Sequence, residues 1–402
     1  MSTTSSPPPL TPNLSAAAFV ARHWHKRPLL IRGAIAQFDG IFTWPQLKRL
    51  AARDDVESRL VVRNGARWSM TRGPFGSATW RGLPQRQWTL LVQGTNLHDA
   101  RADALLRRFS FLPFARLDDL MVSYAAPGGG VGPHVDSYDV FLLQGEGRRR
   151  WRYGRQKDLS LRPRMPLKIL SRFTPTHDEV LARGDMLYLP PHIAHDGVAL
   201  DTCTTYSIGF RAPAATELAQ AFLDHLRDRV ELTGRYADPD LEATRTPARI
   251  DAAMQARVAA MLAQVRVDRA FVDAFTGSFL SEPKPDVFFT PPVAPLSRAA
   301  FARAVRGRGV ALDRRTQLLY DDRHFYINGA ASTPPGATRG VLAELADRRA
   351  LTAARCDRLA ASTIAQLHQW YRDGYLDIDS CATAGAARGG ACERRRAGRR
   401  DR

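Results

Sequence analysis

Lysine, cysteine and long apolar runs are all scarce in this sequence, and each shortage excludes something. Lysine stands only at 26, 48, 157, 168 and 284, so nearly all of the 58 basic residues are arginine. A bias of that kind follows from coding base composition as readily as from function. The four cysteines, Cys203, Cys356, Cys381 and Cys392, have neither the close pairing of a zinc site nor the spacing of a short disulfide framework, and read as free thiols. No stretch approaches the roughly 18 consecutive apolar residues of a membrane helix. Residues 1–12 are rich in Ser, Thr and Pro but lack the basic start and apolar core of a secretory leader. No membrane contact and a cytoplasmic location are therefore expected. There is no internal repeat.

Charge of one sign is abundant. The net charge is +18, of which the last 22 residues supply +5. Such an excess favours nucleic acid or an acidic partner. A non-specific RNA contact through the basic surface and tail is expected.

At 402 residues the chain suits two or three domains and can bury a sizeable core. Residues 1–14 and the Arg-rich 381–402 have too little apolar content to order themselves, and disorder is expected there. From Leu117 to Pro213 the texture is all-β, with runs at Met121–Ala125, Tyr138–Gln144, Arg148–Tyr153, Met186–Leu189 and Thr204–Phe210 between Gly- and Pro-rich turns. Many short strands so punctuated predict a jelly roll or small barrel, placed within 15–213. Residues 214–282 turn helical: Leu218, Phe222, Leu223, Leu226 and Val230 form one apolar stripe, and Ile250, Met254, Val258, Met261, Leu262 and Val265 another. Residues 283–380 read as helices plus a hairpin, Gln317–Tyr320 and His324–Ile327, turning at Asp321-Asp322, which suggests a winged helix. The fold class is α+β.

The chemistry concentrates at Gly132-Pro133-His134-Val135-Asp136. Residues i and i+2 of a strand share a face, so His134 and Asp136 could chelate one metal. An isolated HxD is more often an incidental surface pair. Here a third ligand is offered about sixty residues on by Pro190-Pro191-His192-Ile193-Ala194-His195. His195, at the start of a strand-like run, is preferred over His192, which sits inside the turn and is read as a neighbouring or solvent residue. Two histidines and a carboxylate that leave open positions are the donor set of non-haem Fe(II) oxygenases. An enzyme of that kind using 2-oxoglutarate also needs an internal cation for the cosubstrate's distal carboxylate. If Trp151 and Tyr153 face the barrel interior, strand parity sends Arg149 inward and Arg148, Arg150 and Arg152 outward. The plainer alternative is that all four arginines form a solvated basic edge.

Taken together these segments are similar to the bacterial JmjC-type ribosomal oxygenases of the cupin superfamily. The likeness is carried by Asp118–Tyr124, Pro127–Phe141, Gln144–Trp151 and Ser207–Pro213, with Trp24–Gly33 upstream and Tyr236–Asp240 downstream. It implies a double-stranded β-helix, a helical dimerisation region and a winged-helix-like domain. It also implies Fe(II) held by His134, Asp136 and His195, 2-oxoglutarate held by Arg149 with help from Ser123, and O2 as the second cosubstrate, with no catalytic residue beyond the metal centre. The implied reaction is hydroxylation of the β-carbon of an arginine in a large-subunit ribosomal protein, the sixteenth in the usual naming, by a homodimer. Asp119, Tyr138 and Asp139 are candidate substrate contacts by nearness in sequence alone. The sequence departs from the pattern at His192, where the family often has glycine, and in the Arg-rich tail. Three other readings stay open: a histidine hydroxylase or demethylase using the same cosubstrate, a small-molecule cupin enzyme without it, and a ligand-sensing regulator with a DNA-binding winged helix.

Overall fold

The structure, a computed structural model, describes residues 14–378. The disorder expected over 1–14 and 381–402 lies outside the described residues, Leu14 apart.

Residues 29–210 build two facing sheets. In chain order the strands are β1 (Leu29–Ile31), β2 (Ser58–Asn64), β3 (Arg67–Arg72), β4 (Trp88–Val92), β5 (Leu117–Ala125), β6 (Val140–Gln144), β7 (Arg149–Gly154), β8 (His177–Leu181), β9 (Met186–Leu189), β10 (Ala194–Ala199) and β11 (Cys203–Phe210). Eight form one antiparallel sheet in the order β1-β9-β6-β11-β5-β4-β2-β3, and β10-β7-β8 form the other. Helices α1 (Ala16–Arg22), α2 (Trp44–Ala51), α3 (Ser77–Arg81) and α4 (Ala100–Arg107) lie against the far face of the large sheet.

This double covering explains why the strands read as apolar runs. Along β6, Val140 and Leu142 join Trp151, Tyr153, Leu187 and Leu189 between the sheets, whereas Phe141 and Leu143 join Phe19 and Leu106 on the helical side. A strand buried on both faces has no polar alternation to show. Each fully buried Leu or Phe contributes roughly 1.5–3 kcal/mol, so the register is held firmly. A one-residue slip would exchange the two faces.

Helices α5 (Ala215–Arg227), α6 (Ala252–Leu262) and α7 (Arg269–Ser281) follow. They are shorter than the apolar stripes suggest: Val230 lies beyond α5, and Ile250 and Val265 lie outside α6. Phe222 meets Phe271 and Phe275 edge-on, with ring centroids 5.8 and 5.2 Å apart. Met254, Val258 and Leu262 remain exposed in the single chain.

The last unit has α8 (Arg298–Arg308), β12 (Val310–Leu312), β13 (Leu318–Tyr320), β14 (Phe325–Ile327), β15 (Ala330–Ser332), α9 (Gly336–Arg348), β16 (Ala350–Leu351), α10 (Ala353–Asp357), α11 (Ala361–Arg372) and β17 (Leu376–Asp377). Its core, including Phe301, Leu345, Leu367 and Trp370, is separate from that of the sheets. The expected hairpin is a three-stranded meander, since β15 pairs with β14 as well. Residue 283 is not a structural break. The Tyr326 hydroxyl donates to the Asp273 carbonyl at 3.3 Å, and a Cβ at Gly277 would lie 2.2 Å from the Tyr326 ring. So α7 packs with the meander.

Candidate metal centre

His134 and Asp136 lie in an extended loop rather than in a regular strand. One antiparallel bridge holds the loop: His134 N–H donates to the His195 carbonyl at 3.0 Å, and His195 N–H donates back at 2.9 Å. The backbone thus fixes the two histidines side by side, with ring centroids 4.2 Å apart. The His195 and His134 Nε2 atoms stand 3.5 and 3.9 Å from the Asp136 carboxylate oxygens, and one ligand atom from each residue lies within 4.8 Å of the others. Among the described residues this is the only cluster of three or more His, Cys, Asp or Glu so arranged.

The tautomers are set from behind. His134 Nδ1–H donates to the Gly132 carbonyl and His195 Nδ1–H to the Ile193 carbonyl, both at 2.9 Å, which leaves each Nε2 lone pair aimed at the centre. Burial, and then the neighbouring His134, push the His195 pKa down to about 4, so its imidazole is neutral, the form that binds metal. His195 is buried, whereas His134 and Asp136 are partly open, giving the centre one accessible side.

His192 plays another part. Its backbone N–H donates to the Asp136 carbonyl at 2.9 Å, its side chain is exposed, and its φ of 63° lies in the left-handed region. Glycine adopts that conformation without strain. The turn needs a backbone shape here, not an imidazole.

Arg149 points inward with Trp151 and Tyr153, as parity predicts, and all three are buried. Its outward neighbours each hold a carboxylate: Arg148 with Asp201, Arg150 with Asp178, Arg152 with Asp196. Among the described residues Arg149 has none, and its buried Nε and Nη2 find no hydrogen-bond partner there. A guanidinium in that state is strongly disfavoured unless an anion joins it. Its donor fork fits a carboxylate. The Trp151 ring neighbours both this cation and a metal ligand, 5.8 Å from Arg149 Cζ and 5.9 Å from the His195 ring.

Ser123 is buried on β5, its hydroxyl 3.5 Å from the Thr205 carbonyl, a weak bond that leaves it able to serve another acceptor. The candidate substrate contacts separate. Tyr138 is partly exposed, and desolvation, then the nearby Asp136 and Asp119 carboxylates, hold its phenol well above the usual range. Asp139 is fully buried, accepts from the Tyr188 hydroxyl at 2.5 Å and lies 2.9 Å from His25 Nε2, joining β9 to the segment after α1. Asp119 takes a comparable place. It is buried, accepts from Gln93 Nε2 and Gly94 N–H, and stands 3.6 Å from Lys284 Nζ, so its oxygens tie the sheet to the segment after α7. Gly197 was missed. A Cβ there would lie 2.6 Å from the Trp151 ring, so the ring's seat requires glycine. A glycine inside a strand is the sequence signal for such a close approach.

Comparison with known proteins accords with this geometry. Residues 104–218 match the JmjC domain and residues 260–377 a ROXA-like winged helix, a span that takes in α7. The chain is 37% identical over 341 residues to the ribosomal protein uL16 3-hydroxylase of Escherichia coli (strain K12), covering 83% of this chain and 89% of that protein. Over 236 residues it is 36% identical to a probable ribosomal oxygenase of Haemophilus influenzae, 58% of this chain and 56% of that one. The X-ray structure of E. coli ycfD superposes with a TM-score of 0.80 at 34% identity, covering 91% of this chain and 98% of that one. A structure of E. coli YcfD in complex with cobalt and 2-oxoglutarate superposes with a TM-score of 0.77 at 33% identity, with the same coverage.

Proposed function

The chain belongs to the JmjC-domain ribosomal oxygenases, and from that premise we propose that it is an Fe(II)- and 2-oxoglutarate-dependent oxygenase that hydroxylates the β-carbon of an arginine in ribosomal protein uL16. The observation that carries the cosubstrate is the buried Arg149 guanidinium, whose Nε and Nη2 have no hydrogen-bond partner among the described residues. His134, Asp136 and His195 would hold the metal, Arg149 the distal carboxylate of 2-oxoglutarate, and Ser123 would assist. Iron(II) with 2-oxoglutarate and O2 supplies the oxidising chemistry, releasing succinate and CO2 and placing one oxygen atom in the substrate C–H bond. Trp151 excludes water from the Arg149 side and keeps the spacing between clamp and ligands. Tyr138, at the open side, is the remaining candidate for a substrate contact.

The test is anaerobic reconstitution with Fe(II), then incubation of ribosomal proteins with 2-oxoglutarate and O2 and mass spectrometry. A gain of one oxygen atom on an arginine of uL16 is expected. A gain on a histidine of another protein, or none with succinate unformed, would overturn the assignment.

Gly197→Ala tests the seat of Trp151. Overpacking of this kind costs about 1–3 kcal/mol, and the displaced ring disturbs Arg149 and His195 together. The 2-oxoglutarate requirement should rise and the melting temperature fall. An unchanged cosubstrate titration would show that the ring does not set the clamp.

The same reading includes a homodimer formed through α5, α6 and α7, and action where ribosomes are. The groove lined by Pro213, Leu218, Phe222, Val272, Phe275 and Phe279 is almost wholly apolar, and exposed Met254, Val258 and Leu262 extend that character. Apolar surface of this extent seldom stays uncovered. Light scattering should give twice the 44.6 kDa chain mass, and twice the shorter chain's mass after truncation at Ser380. Turnover on a short peptide should survive the truncation. A monomer, or a truncated protein unable to turn over peptide, would defeat this part.

A further inference from the structure

Residues 58–98 contain six arginines and no Asp, Glu or Lys. Arg63, Arg67, Arg72, Arg81 and Arg86 are exposed and make no salt bridge with a carboxylate among the described residues. Only Arg59 reaches one, Glu57 at 3.7 Å. A second segment, the loop 155–172 between β7 and β8, carries Arg155, Lys157, Arg162, Arg164, Lys168 and Arg172 against a single Asp158. All six are exposed, and none forms a salt bridge among the described residues. An arginine-rich composition explains why these cations are mostly arginine. It does not explain why carboxylates are missing here, when Arg53, Arg101, Arg148, Arg150, Arg152 and Arg269 elsewhere on the surface each have one.

The two segments meet at the metal centre. A Cβ at Gly132 would lie 3.2 Å from Ile169 of the loop and 3.4 Å from Trp68 of β3, and Leu170 N–H donates to the Pro133 carbonyl at 2.8 Å. Gly132 is also the residue whose carbonyl orients His134. The basic stretches therefore meet beside the loop that carries His134 and Asp136. β3 closes the large sheet at one edge, and the half-buried Trp68 lies there with the Arg63 guanidinium 5.4 Å over its ring.

We propose that the β2–β3 hairpin and the loop 155–172 form an RNA-backbone-binding collar beside the metal cleft. Arginine forks suit phosphate, and a Trp on the same surface offers a face for an unstacked base. The inference rests on the ribosomal-protein reading. Ribosomal proteins that bind RNA are themselves basic, and a collar of this charge would repel such a protein alone. RNA held along with the protein reverses the sign, so the collar selects target protein that is bound to RNA.

The test uses the full-length protein and a fluorescein-labelled single-stranded polyuridine, titrated at several salt concentrations. Two variants neutralise the halves separately: R63Q/R67Q/R72Q and R162Q/R164Q/K168Q. Counterion release at a log–log slope of about 0.7 per phosphate predicts that each variant flattens the salt dependence by about 2 and binds about a hundredfold more weakly at 0.1 M salt. Peptide turnover and the melting temperature should be unchanged, since all six positions are exposed and outside the metal site. Unaltered RNA affinity in both variants would overturn the collar. Equal displacement of the RNA by polyglutamate or by phosphatidylserine vesicles would also overturn it, because the surface would then select no nucleic acid. Failure of the functional reading is separate: it would appear as absent peptide turnover in the unmodified protein, whatever the RNA result.

Discussion

Replacing Arg149 with methionine is expected to stabilise the ligand-free protein and at the same time to abolish useful binding of 2-oxoglutarate. The two effects share one cause. Arg149 is 5% exposed, and its Nε and Nη2 have no hydrogen-bond partner among the described residues. Removing a buried charge in favour of a packed apolar side chain is commonly neutral or stabilising by about 1–4 kcal/mol. The melting temperature should therefore stay level or rise by several degrees. Binding goes the other way. Breaking a buried ion pair costs about 3–5 kcal/mol, two to three decades or more in affinity. Saturating cosubstrate at a hundred times its Kd should stabilise the unmodified protein by about 2.7 kcal/mol and the variant hardly at all. Arg148→Met and Arg150→Met remove exposed pairs screened by solvent and should leave the titration alone. Equal, mild effects at all three positions would mean that the clamp lies elsewhere.

Loss of iron and of turnover is the expected result of His134→Ala, Asp136→Ala or His195→Ala, each alone. The three ligand atoms converge within 4.8 Å, and two remaining donors do not make the closed side of a three-ligand site. Iron retained after desalting, measured by mass spectrometry, should fall to background in all three. His192→Ala should retain it, because His192 supports the centre through its backbone N–H. Its φ of 63° adds a graded control. His192→Gly should be more stable than His192→Ala, since the left-handed conformation costs a non-glycine residue roughly 1–2 kcal/mol. Iron lost at His192→Ala and kept at His195→Ala would reverse the ligand assignment.

Much of this was legible in the chain itself, for reasons that are local. Strands β6 and β9 appear as compact apolar runs because both their faces are covered. The inward turn of Arg149 follows from a period of two and the size of Trp151 and Tyr153. The last unit showed its helices and hairpin in the same way, although β15 was too short and too small-chained to be seen. Nearness in sequence to His134 and Asp136 did not show that Asp119 and Asp139 are buried, each tying distant elements together. Pattern and period decide local shape, and they were enough to propose a ligand triad and an inward-facing arginine. Only the tertiary structure decided that His134 and His195 exchange backbone hydrogen bonds, that Arg149 is left without a partner while Arg148, Arg150 and Arg152 are satisfied, and that two basic stretches nearly a hundred residues apart meet at Gly132. Each of these depends on how strands far apart in the chain are brought into register, and register is set by the burial of whole sheet faces, which no short segment contains.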